Sequence, residues 1–167
     1  MEVLIKHDEI VKMCEKIGGK LTSVFKGKTP IIVCVLKGAC PFHSELIKHI
    51  DCDMEVDYIQ VSSYSGIQST GEVKIKRDFD SDIAGRDVVL VEDIVDTGVT
   101  MNALVPLLKK RKPNSITVVT MLDKPSRRRV DFKPDIVGKT IDDLFVVGFG
   151  LDLDEKYRNL KDVYIFK

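Results

Sequence analysis

Three carboxylates lie close together where a run of aliphatic residues ends. Glu92 and Asp93 directly follow the apolar stretch 88–91, and Asp96 comes three residues later. Two adjacent acids at the end of a buried strand lose hydration on folding, which costs free energy that a binding role would offset. Carboxylate oxygens accept hydrogen bonds from the cis hydroxyls of a ribose and also suit a hydrated magnesium ion. The acids therefore predict a site for sugar hydroxyls or a metal ion.

The turn at residues 96–100 is suited to a phosphate group. Its successive backbone N–H groups, the hydroxyls of Thr97 and Thr100, and the positive end of the following helix would together surround an anion. Gly98 and Val99 complete the turn, and Val99 offers its backbone rather than its side chain. Phosphate beside sugar hydroxyls indicates a ribose 5-phosphate. The alternative is a generic strand-to-helix connection in which an Asp or Thr side chain merely caps the helix.

Strands that alternate with helices must position these residues. Residues 31–36 and 88–91 are continuous aliphatic runs, typical of strands buried on both faces of a parallel sheet. Residues 9–25 carry apolar side chains at the three-to-four spacing of an amphipathic helix. Further helices are predicted at 41–50 and 100–111, and further strands at 56–61, 116–122, 144–147 and 163–166. Pro106 should kink or shorten the helix that contains it.

This order predicts an α/β fold around a mostly parallel sheet. Ligands of such folds bind beyond the carboxyl ends of the strands. The turns after Leu36, Val91, Leu122 and Val147 should therefore meet at one site.

Length and composition indicate an ordinary globular protein. The 167 residues are expected to form a single domain, 1–167, and the 26 basic and 26 acidic residues balance. A balanced charge gives no whole-molecule attraction to nucleic acid or to an anionic membrane surface. Neither a signal-peptide core nor a run of roughly 20 apolar residues is found, so a cytoplasmic location away from membranes is expected.

The four cysteines do not predict a zinc site. Cys14, Cys34, Cys40 and Cys52 form no C-x-x-C pair and have no histidine cluster beside them. Cys14 and Cys34 lie on apolar faces, where a thiol behaves as a small buried hydrophobe.

Several motifs in order resemble a known family. Residues 88–100 resemble the phosphoribosyl pyrophosphate signature of type I phosphoribosyltransferases, and closely that of hypoxanthine-guanine phosphoribosyltransferases. The similarity spans nearly the entire chain. It also includes Leu36-Lys37-Gly38, the loop 62–66 with 69–72, Asp123-Lys124-Pro125, and the segment 145–152 with Arg158 beyond it.

The resemblance implies both a fold and a reaction. The fold is that of type I phosphoribosyltransferases: a mostly parallel central sheet flanked by helices, a small hood, and a flexible lid loop at about residues 62–75. The reaction transfers the 5-phosphoribosyl group from magnesium-bound phosphoribosyl pyrophosphate to hypoxanthine or guanine, giving IMP or GMP and pyrophosphate in purine salvage. The implied partners are these small molecules and further copies of the chain, in a homodimer or homotetramer.

The resemblance assigns the base-binding residues first. Asp96 becomes the catalytic general base or acid at purine N7. Lys124 becomes the donor to the exocyclic O6, because an ammonium group cannot accept a hydrogen bond from the amino group of adenine. Phe145 would stack on the purine, and the backbone of Val146 would bind its edge. Without the resemblance, Lys124 would be a surface lysine and the other two would be core residues.

The remaining assignments concern the metal and the phosphates. Glu92 and Asp93 would hold the ribose and magnesium. Asp152, beside the base, would hold magnesium through water. Arg158 would face the pyrophosphate with its forked donors.

Two loops are assigned as well. Lys37 and Gly38 match the pyrophosphate loop, in which the Leu36–Lys37 peptide would be cis; an ordinary strand-ending turn is the alternative. Ser63 and Tyr64 match the lid, which would close over the reacting centre to exclude water. A plain disordered connection is the alternative there.

One arginine assignment is made by spacing. Among Arg127, Arg128 and Arg129, the distance from Lys124 and from Lys133 favours Arg128 as the arginine near the base and pyrophosphate, and the other two are expected to be solvated charges.

Two other classes of protein share parts of these patterns. A nucleotide-sensing regulator that keeps this fold but binds RNA is the main alternative, although Lys124, Asp96 and Asp152 with the balanced charge favour an enzyme. The tripeptide 96–98 is similar to that of aspartic proteases, but those are nearly all β, whereas this chain alternates strand and helix.

Overall fold

The computed structural model describes residues 1–63 and 73–167, which contain two sheets and three α-helices. The helices are α1 His7–Val24, α2 Cys40–Leu46 and α3 Val99–Lys109, with 3₁₀ turns at Ile47–His49 and Pro125–Arg127. The strands are β1 Glu2–Ile5, β2 Ile31–Leu36, β3 Glu55–Ser63, β4 Val73–Arg77, β5 Asp87–Val95, β6 Ser115–Asp123, β7 Ile136–Thr140, β8 Val146–Val147 and β9 Val163–Ile165.

The larger sheet has the strand order β4-β3-β2-β5-β6-β7. Its strands pair in parallel from β3 to β7, and β4 pairs antiparallel with β3 at one edge. The central strands β2 and β5 are rich in β-branched residues and are buried almost throughout, as strands covered on both faces are. The predicted mostly parallel α/β architecture is therefore confirmed.

Helices cover both faces of this sheet. Cys14, Leu21 and Phe25, in and just beyond α1, pack with Phe42 of α2 against one face. Met101, Leu104 and Leu108 of α3 pack against the other face. α1 follows Lys6, whose backbone N–H donates to the Glu9 carboxylate at 3.0 Å, and most of its apolar stripe is buried as predicted, except Val24, which is 58% exposed. Cys14 and Cys34 are both fully buried, as expected.

A second, smaller sheet joins the two ends of the chain. Its order is β1-β9-β8, and both pairings are antiparallel. This sheet corresponds to the predicted small hood. β1 was not predicted, and neither were β4 and β7.

Two predicted element boundaries are wrong. The strand expected at 88–91 continues to Val95, because Glu92, Ile94 and Val95 pair with β6. Glu92 and Asp93 consequently lie within a strand and not in the turn after it. The helix that contains Pro106 begins at Val99 and continues past the proline to Lys109, two residues short of the predicted end.

Other boundaries shift by smaller amounts. α2 ends at Leu46, and a 3₁₀ turn occupies most of the rest of the predicted helix. The strand predicted at 144–147 is reduced to β8. None of the helices described is both long and apolar enough to cross a membrane.

Candidate active site

Three parts of the chain lie close together: the residues just after β2, the acids of β5 and the turn after β8. A Cβ atom placed on Gly38, just after β2, would lie 1.7 Å from Oδ2 of Asp93 and 3.5 Å from Nη1 of Arg158. A Cβ atom on Gly150 would lie 1.9 Å from the carbonyl oxygen of Gly38. Backbone therefore fits where no side chain could, and the predicted convergence of these turns is confirmed. The Leu36–Lys37 peptide is cis, as predicted.

The turn that follows β5 forms a cleft of about 150 Å³. Its lining includes predicted site residues from β5 and from the start of α3, namely Glu92, Asp93, Asp96, Thr97, Gly98 and Thr100. Gly98 has φ +80°, which favours glycine, and a Cβ atom there would be 3.1 Å from Cδ of Arg128. The backbone N–H of Val99 points to Oγ1 of Thr97 at 3.4 Å. The arrangement is that of a helix N-terminus opening into a cleft.

A second cleft of about 190 Å³ adjoins the first. Both are lined by Asp93 and Asp96. The second cleft also brings together all four residues predicted to bind the purine, Lys124, Phe145, Val146 and Asp152.

The exposed fraction of each side chain distinguishes its predicted role from the alternative role. Lys124 is only 6% exposed, so it is not a surface lysine, whereas Phe145 is 51% exposed and is not a core residue. Val146 is buried in the core, as expected for a strand residue. Phe145 packs edge-on against Phe166, with ring centroids 6.1 Å apart. The cleft is thus lined by one largely buried lysine side chain and one accessible aromatic ring.

The adjacent acids of β5 are electrostatically strained. Burial, with the charge of Asp93 adding to it, raises the pKa of Glu92 well above its ordinary value. Burial also raises the pKa of Asp93, against the opposing effects of its hydrogen bonds and of Arg158. A cation or a set of hydroxyl donors placed in the cleft would stabilise the charged forms of both acids.

Arg158 and Lys37 are linked through an acid that the sequence did not single out. Arg158 forms ion pairs with Asp152 at 3.0 Å and with Glu155 at 3.1 Å, and it donates to the carbonyl of Gly150 at 2.8 Å. Nζ of Lys37 lies 2.9 Å from the other carboxylate oxygen of Glu155. Lys37, followed by Arg158, lowers the pKa of Glu155. Two cations predicted to face the pyrophosphate therefore meet on one exposed carboxylate.

Arg127 is exposed, as expected of a solvated charge, but it also forms ion pairs that were not predicted. Its Nε lies 3.0 Å from Oδ1 of Asp96 and its Nη1 lies 3.5 Å from Asp143. The hydrogen bond with Asp96 raises the pKa of Arg127. No local sequence pattern predicts the contact between Arg127 and Asp96, because the two residues are 31 positions apart.

Arg128 stabilises the turn after β5 through several hydrogen bonds. Its guanidinium donates to the carbonyls of Val95 at 3.0 Å, Asp96 at 2.7 Å and Phe132 at 2.9 Å, and it pairs with Asp123. The side chain of Arg129 forms no ion pair with the described residues. Contact between Arg128 and a substrate stays a prediction.

A model of the phosphoribosyl transferase domain matches residues 3–154. The chain belongs to the phosphoribosyltransferase family. The interpretation of residues 96–98 as part of an aspartic protease is therefore wrong.

Similar phosphoribosyltransferases match over almost the whole chain. A hypoxanthine-guanine phosphoribosyltransferase of Bacillus subtilis (strain 168) is 48% identical over 167 residues, 99% of this chain and 93% of that protein. The crystal structure of a hypoxanthine phosphoribosyltransferase from Staphylococcus aureus has a TM-score of 0.96 at 46% identity, covering 100% and 91% of the two chains. A Bacillus anthracis hypoxanthine-guanine phosphoribosyltransferase, solved with a HEPES molecule in its active site, has a TM-score of 0.96 at 37% identity, covering 100% and 99%. The predicted fold class is confirmed.

The acids of this phosphoribosyltransferase fit magnesium in part. Glu92, Asp93 and Asp152 offer the oxygen ligands that magnesium prefers. Within the described residues, however, no three acidic, histidine or cysteine side chains are close enough to enclose an ion. A magnesium ion here would need further oxygens from water or from a bound phosphate, which agrees with its tendency to keep waters.

The predicted lid lies largely outside the described residues. Tyr64 is among residues 64–72, which the structure does not describe. Ser63 is the last residue of β3 and is paired with Val73, the first residue of β4. Both ends of the predicted segment 62–75 are therefore strand, and the lid stays a prediction.

Proposed function

We propose that this phosphoribosyltransferase transfers the 5-phosphoribosyl group from magnesium-bound phosphoribosyl pyrophosphate to hypoxanthine or guanine, releasing pyrophosphate and forming IMP or GMP. One observation carries the proposal: two adjoining clefts, one suited to a sugar phosphate and one to a 6-oxopurine, share Asp93 and Asp96. The names of the similar proteins support the same reaction and give no support to an RNA-binding regulator.

The first cleft would hold the phosphoribosyl group. The backbone and hydroxyls of Thr97, Gly98, Val99 and Thr100 would bind the 5-phosphate at the start of α3. Glu92 and Asp93 would accept hydrogen bonds from the ribose hydroxyls, and a cation close to these strained acids would relieve their repulsion.

The second cleft would hold the purine. The ammonium group of Lys124, whose side chain is largely buried, would donate to O6, and the contact would be selective because a 6-amino group offers no acceptor. Phe145 would stack on the ring, and the backbone of Val146 would bind its edge. These contacts favour 6-oxopurines over adenine.

The pyrophosphate would lie between the two loops that Glu155 connects. Gly38 would present its backbone, and Lys37 and Arg158 would exchange part of their contact with Glu155 for phosphate oxygens. Magnesium, when bound by Glu92, Asp93 and Asp152, supplies charge neutralisation for the leaving group.

The reaction itself is a displacement at C1 of the ribose. N9 of the purine forms a bond to C1 while the bond from C1 to the pyrophosphate oxygen breaks. The proton on N7 passes to the carboxylate of Asp96, so that the base is neutral in the product. Ser63 and Tyr64, on the proposed lid, would exclude water from the electron-poor C1.

A substrate panel tests this proposal directly. The protein is incubated with magnesium, phosphoribosyl pyrophosphate and hypoxanthine, guanine, xanthine or adenine in turn, while ultraviolet absorbance and pyrophosphate release are followed. We expect nucleotide formation from hypoxanthine and guanine, none from adenine, and none in the presence of a chelator. Unchanged 6-oxopurines together with intact phosphoribosyl pyrophosphate would contradict it. Light scattering would test the proposed homodimer or homotetramer separately.

A further inference from the structure

Two thiols are in contact beneath the turn that carries Lys37 and Gly38. Sγ of Cys34 lies 3.7 Å from Sγ of Cys40, and both cysteines are free. Cys34 belongs to β2, and Cys40 is the first residue of α2. The pair therefore brackets the turn on both sides.

The two thiols have different surroundings. Cys34 is fully buried, and burial, with Cys40 and the acids Glu92 and Asp93 contributing further, raises the pKa of its thiol. Cys40 is only partly buried and is the more accessible of the two. A reagent from solution would meet Cys40 first, and Cys34 would then lie within reach of the modified sulfur.

The other two cysteines provide an internal comparison. Cys14 is buried, and burial raises the pKa of its thiol to about 12. Cys52 is partly exposed. Among the described residues, neither has a second sulfur in contact, so only Cys34 and Cys40 are placed to link.

We propose that Cys34 and Cys40 are a peroxide-sensitive thiol pair, and that a disulfide between them disables the adjoining turn. The thiolate of Cys40 attacks one oxygen of a peroxide, the O–O bond breaks, and a sulfenic acid forms while the departing hydroxide takes up the proton that the thiol had lost and becomes water. The thiol of Cys34 then attacks this sulfur, the S–O bond breaks, and its proton leaves with the hydroxyl group as a second water. Two thiols are oxidised, and one peroxide is reduced to two waters.

The turn has little room to absorb the change. Closing the bond brings the sulfurs from 3.7 Å to about 2.05 Å, so both side chains must rotate toward each other, and any remaining gap must be closed by movement of β2, α2 or the backbone between them. Gly38 is packed so closely that a single added Cβ atom would overlap the Asp93 carboxylate and touch the Arg158 guanidinium. If Gly38 moved, its backbone would no longer pack against Asp93. Binding of phosphoribosyl pyrophosphate would then weaken. This last step rests on the proposed function, whereas the disulfide does not.

The linkage can be mapped without any activity measurement. The full-length protein is treated with hydrogen peroxide, its free thiols are alkylated in denaturant, and it is digested with trypsin. Cleavage after Lys37 separates the two cysteines, so a disulfide appears as a cross-linked pair of peptides that dithiothreitol releases. We expect this cross-link with Cys14 still alkylated. Full alkylation of Cys34 and Cys40 after Cys52 has been oxidised would overturn the proposal.

Kinetics test the consequence for the turn. We expect oxidation to raise the KM for phosphoribosyl pyrophosphate at least fivefold, with recovery in dithiothreitol. Cys40→Ser should form no cross-link and keep its activity in peroxide, and the matched control Cys52→Ser should respond as the wild type does. A cross-linked protein with unchanged kinetics, or a Cys40→Ser variant that is inactivated equally, would overturn the regulatory role. A protein without transferase activity that still cross-links would contradict the proposed function and leave the thiol pair standing.

Discussion

Asp96 forms an ion pair with Arg127 at the boundary of the two clefts. More than a third of each side chain is exposed, at 38% and 42%. Exposed ion pairs contribute little to stability, so Arg127 can release Asp96 at little cost when a purine enters. Lys124 differs, because its side chain is only 6% exposed and forms no ion pair with the described residues. The two residues therefore predict different kinetic effects.

Replacing Asp96 by Asn should slow the chemical step. An amide cannot accept the N7 proton, and loss of a general base lowers turnover by about 10²–10⁴-fold. The KM for phosphoribosyl pyrophosphate should change by less than threefold, because the backbone of the turn is retained. Steady-state kinetics with hypoxanthine would measure both quantities.

Asp143→Asn is the matched control for that variant. Asp143 contacts the same arginine but lines neither cleft. Its turnover should stay close to that of the wild type. If both variants lost turnover equally, the effect of Asp96 would belong to the arginine contact and not to proton transfer.

Lys124→Ala should reduce discrimination between purines. A hydrogen bond to a charged group is worth about 1.5–3 kcal/mol, so kcat/KM for hypoxanthine should fall by about 10–100-fold, while the weak rate with adenine changes little. Lys133→Ala, which removes an exposed lysine from the same region, should leave the ratio unchanged. An unaltered preference for hypoxanthine in Lys124→Ala would contradict the O6 contact.

At the scale of elements, Glu92 and Asp93 are residues of the strand β5 itself and do not lie in the turn after it. The folded protein raises the pKa of Glu92 above its ordinary value of 4.5, so folding favours the protonated form. Ionisation at higher pH therefore lowers the free energy of unfolding. Below the ordinary value the group is protonated in both states, and this penalty disappears.

Glu92→Gln should consequently be stabilising at pH 8 and close to neutral at pH 4. The gain in Tm over the wild type should grow as the pH rises between these values, which differential scanning calorimetry can follow. Glu155→Gln is a control of opposite sign, since Lys37 and Arg158 lower the pKa of Glu155 and its charged form is the stabilised one. A Tm difference for Glu92→Gln that does not depend on pH would refute the claim that folding disfavours the charged form of Glu92.

The turn after β2 depends on the absence of a side chain at Gly38. In Gly38→Ala the new Cβ atom would lie 1.7 Å from the Asp93 carboxylate, so the turn or the acid must move. We expect a lower Tm and at least a tenfold lower kcat/KM for phosphoribosyl pyrophosphate. Gly19→Ala, within α1 and with open space around its Cβ position, should instead stabilise the protein by about 0.5–1 kcal/mol. A functional Gly38→Ala variant would show that the close packing is dispensable.

Local patterns predicted some elements well because those patterns are complete within a short window. The aliphatic runs of β2 and β5 and the apolar stripe of α1 are of this kind. β1 and β7 carry weaker patterns and form because of partners elsewhere, as when Glu2 pairs with Ile165. The same reason explains why Arg127 and Glu155 were missed: Arg127 pairs with Asp96, 31 positions away, and Glu155 pairs with Lys37, 118 positions away.

At the scale of the whole molecule, the clefts are bordered by parts from both sheets. β5 and β6 of the larger sheet supply the acids and Lys124, while β8 of the smaller sheet supplies Val146 beside Phe145. The smaller sheet in turn contains both ends of the chain, since β1 pairs with β9, and Nζ of Lys167 lies 2.8 Å from the carboxylate of Glu2.

Neighbouring termini make this chain a candidate for circular permutation. A short glycine-serine linker from Lys167 to Met1 would span the gap, and new ends could be opened at Gly27, which lies in an exposed turn with φ +74° and open space around it. We expect the permuted protein to fold and to keep its catalytic rate within a few-fold, as circular dichroism and the transferase assay would measure. An unfolded product would mean that α1 must precede β2 in synthesis for the sheet to assemble.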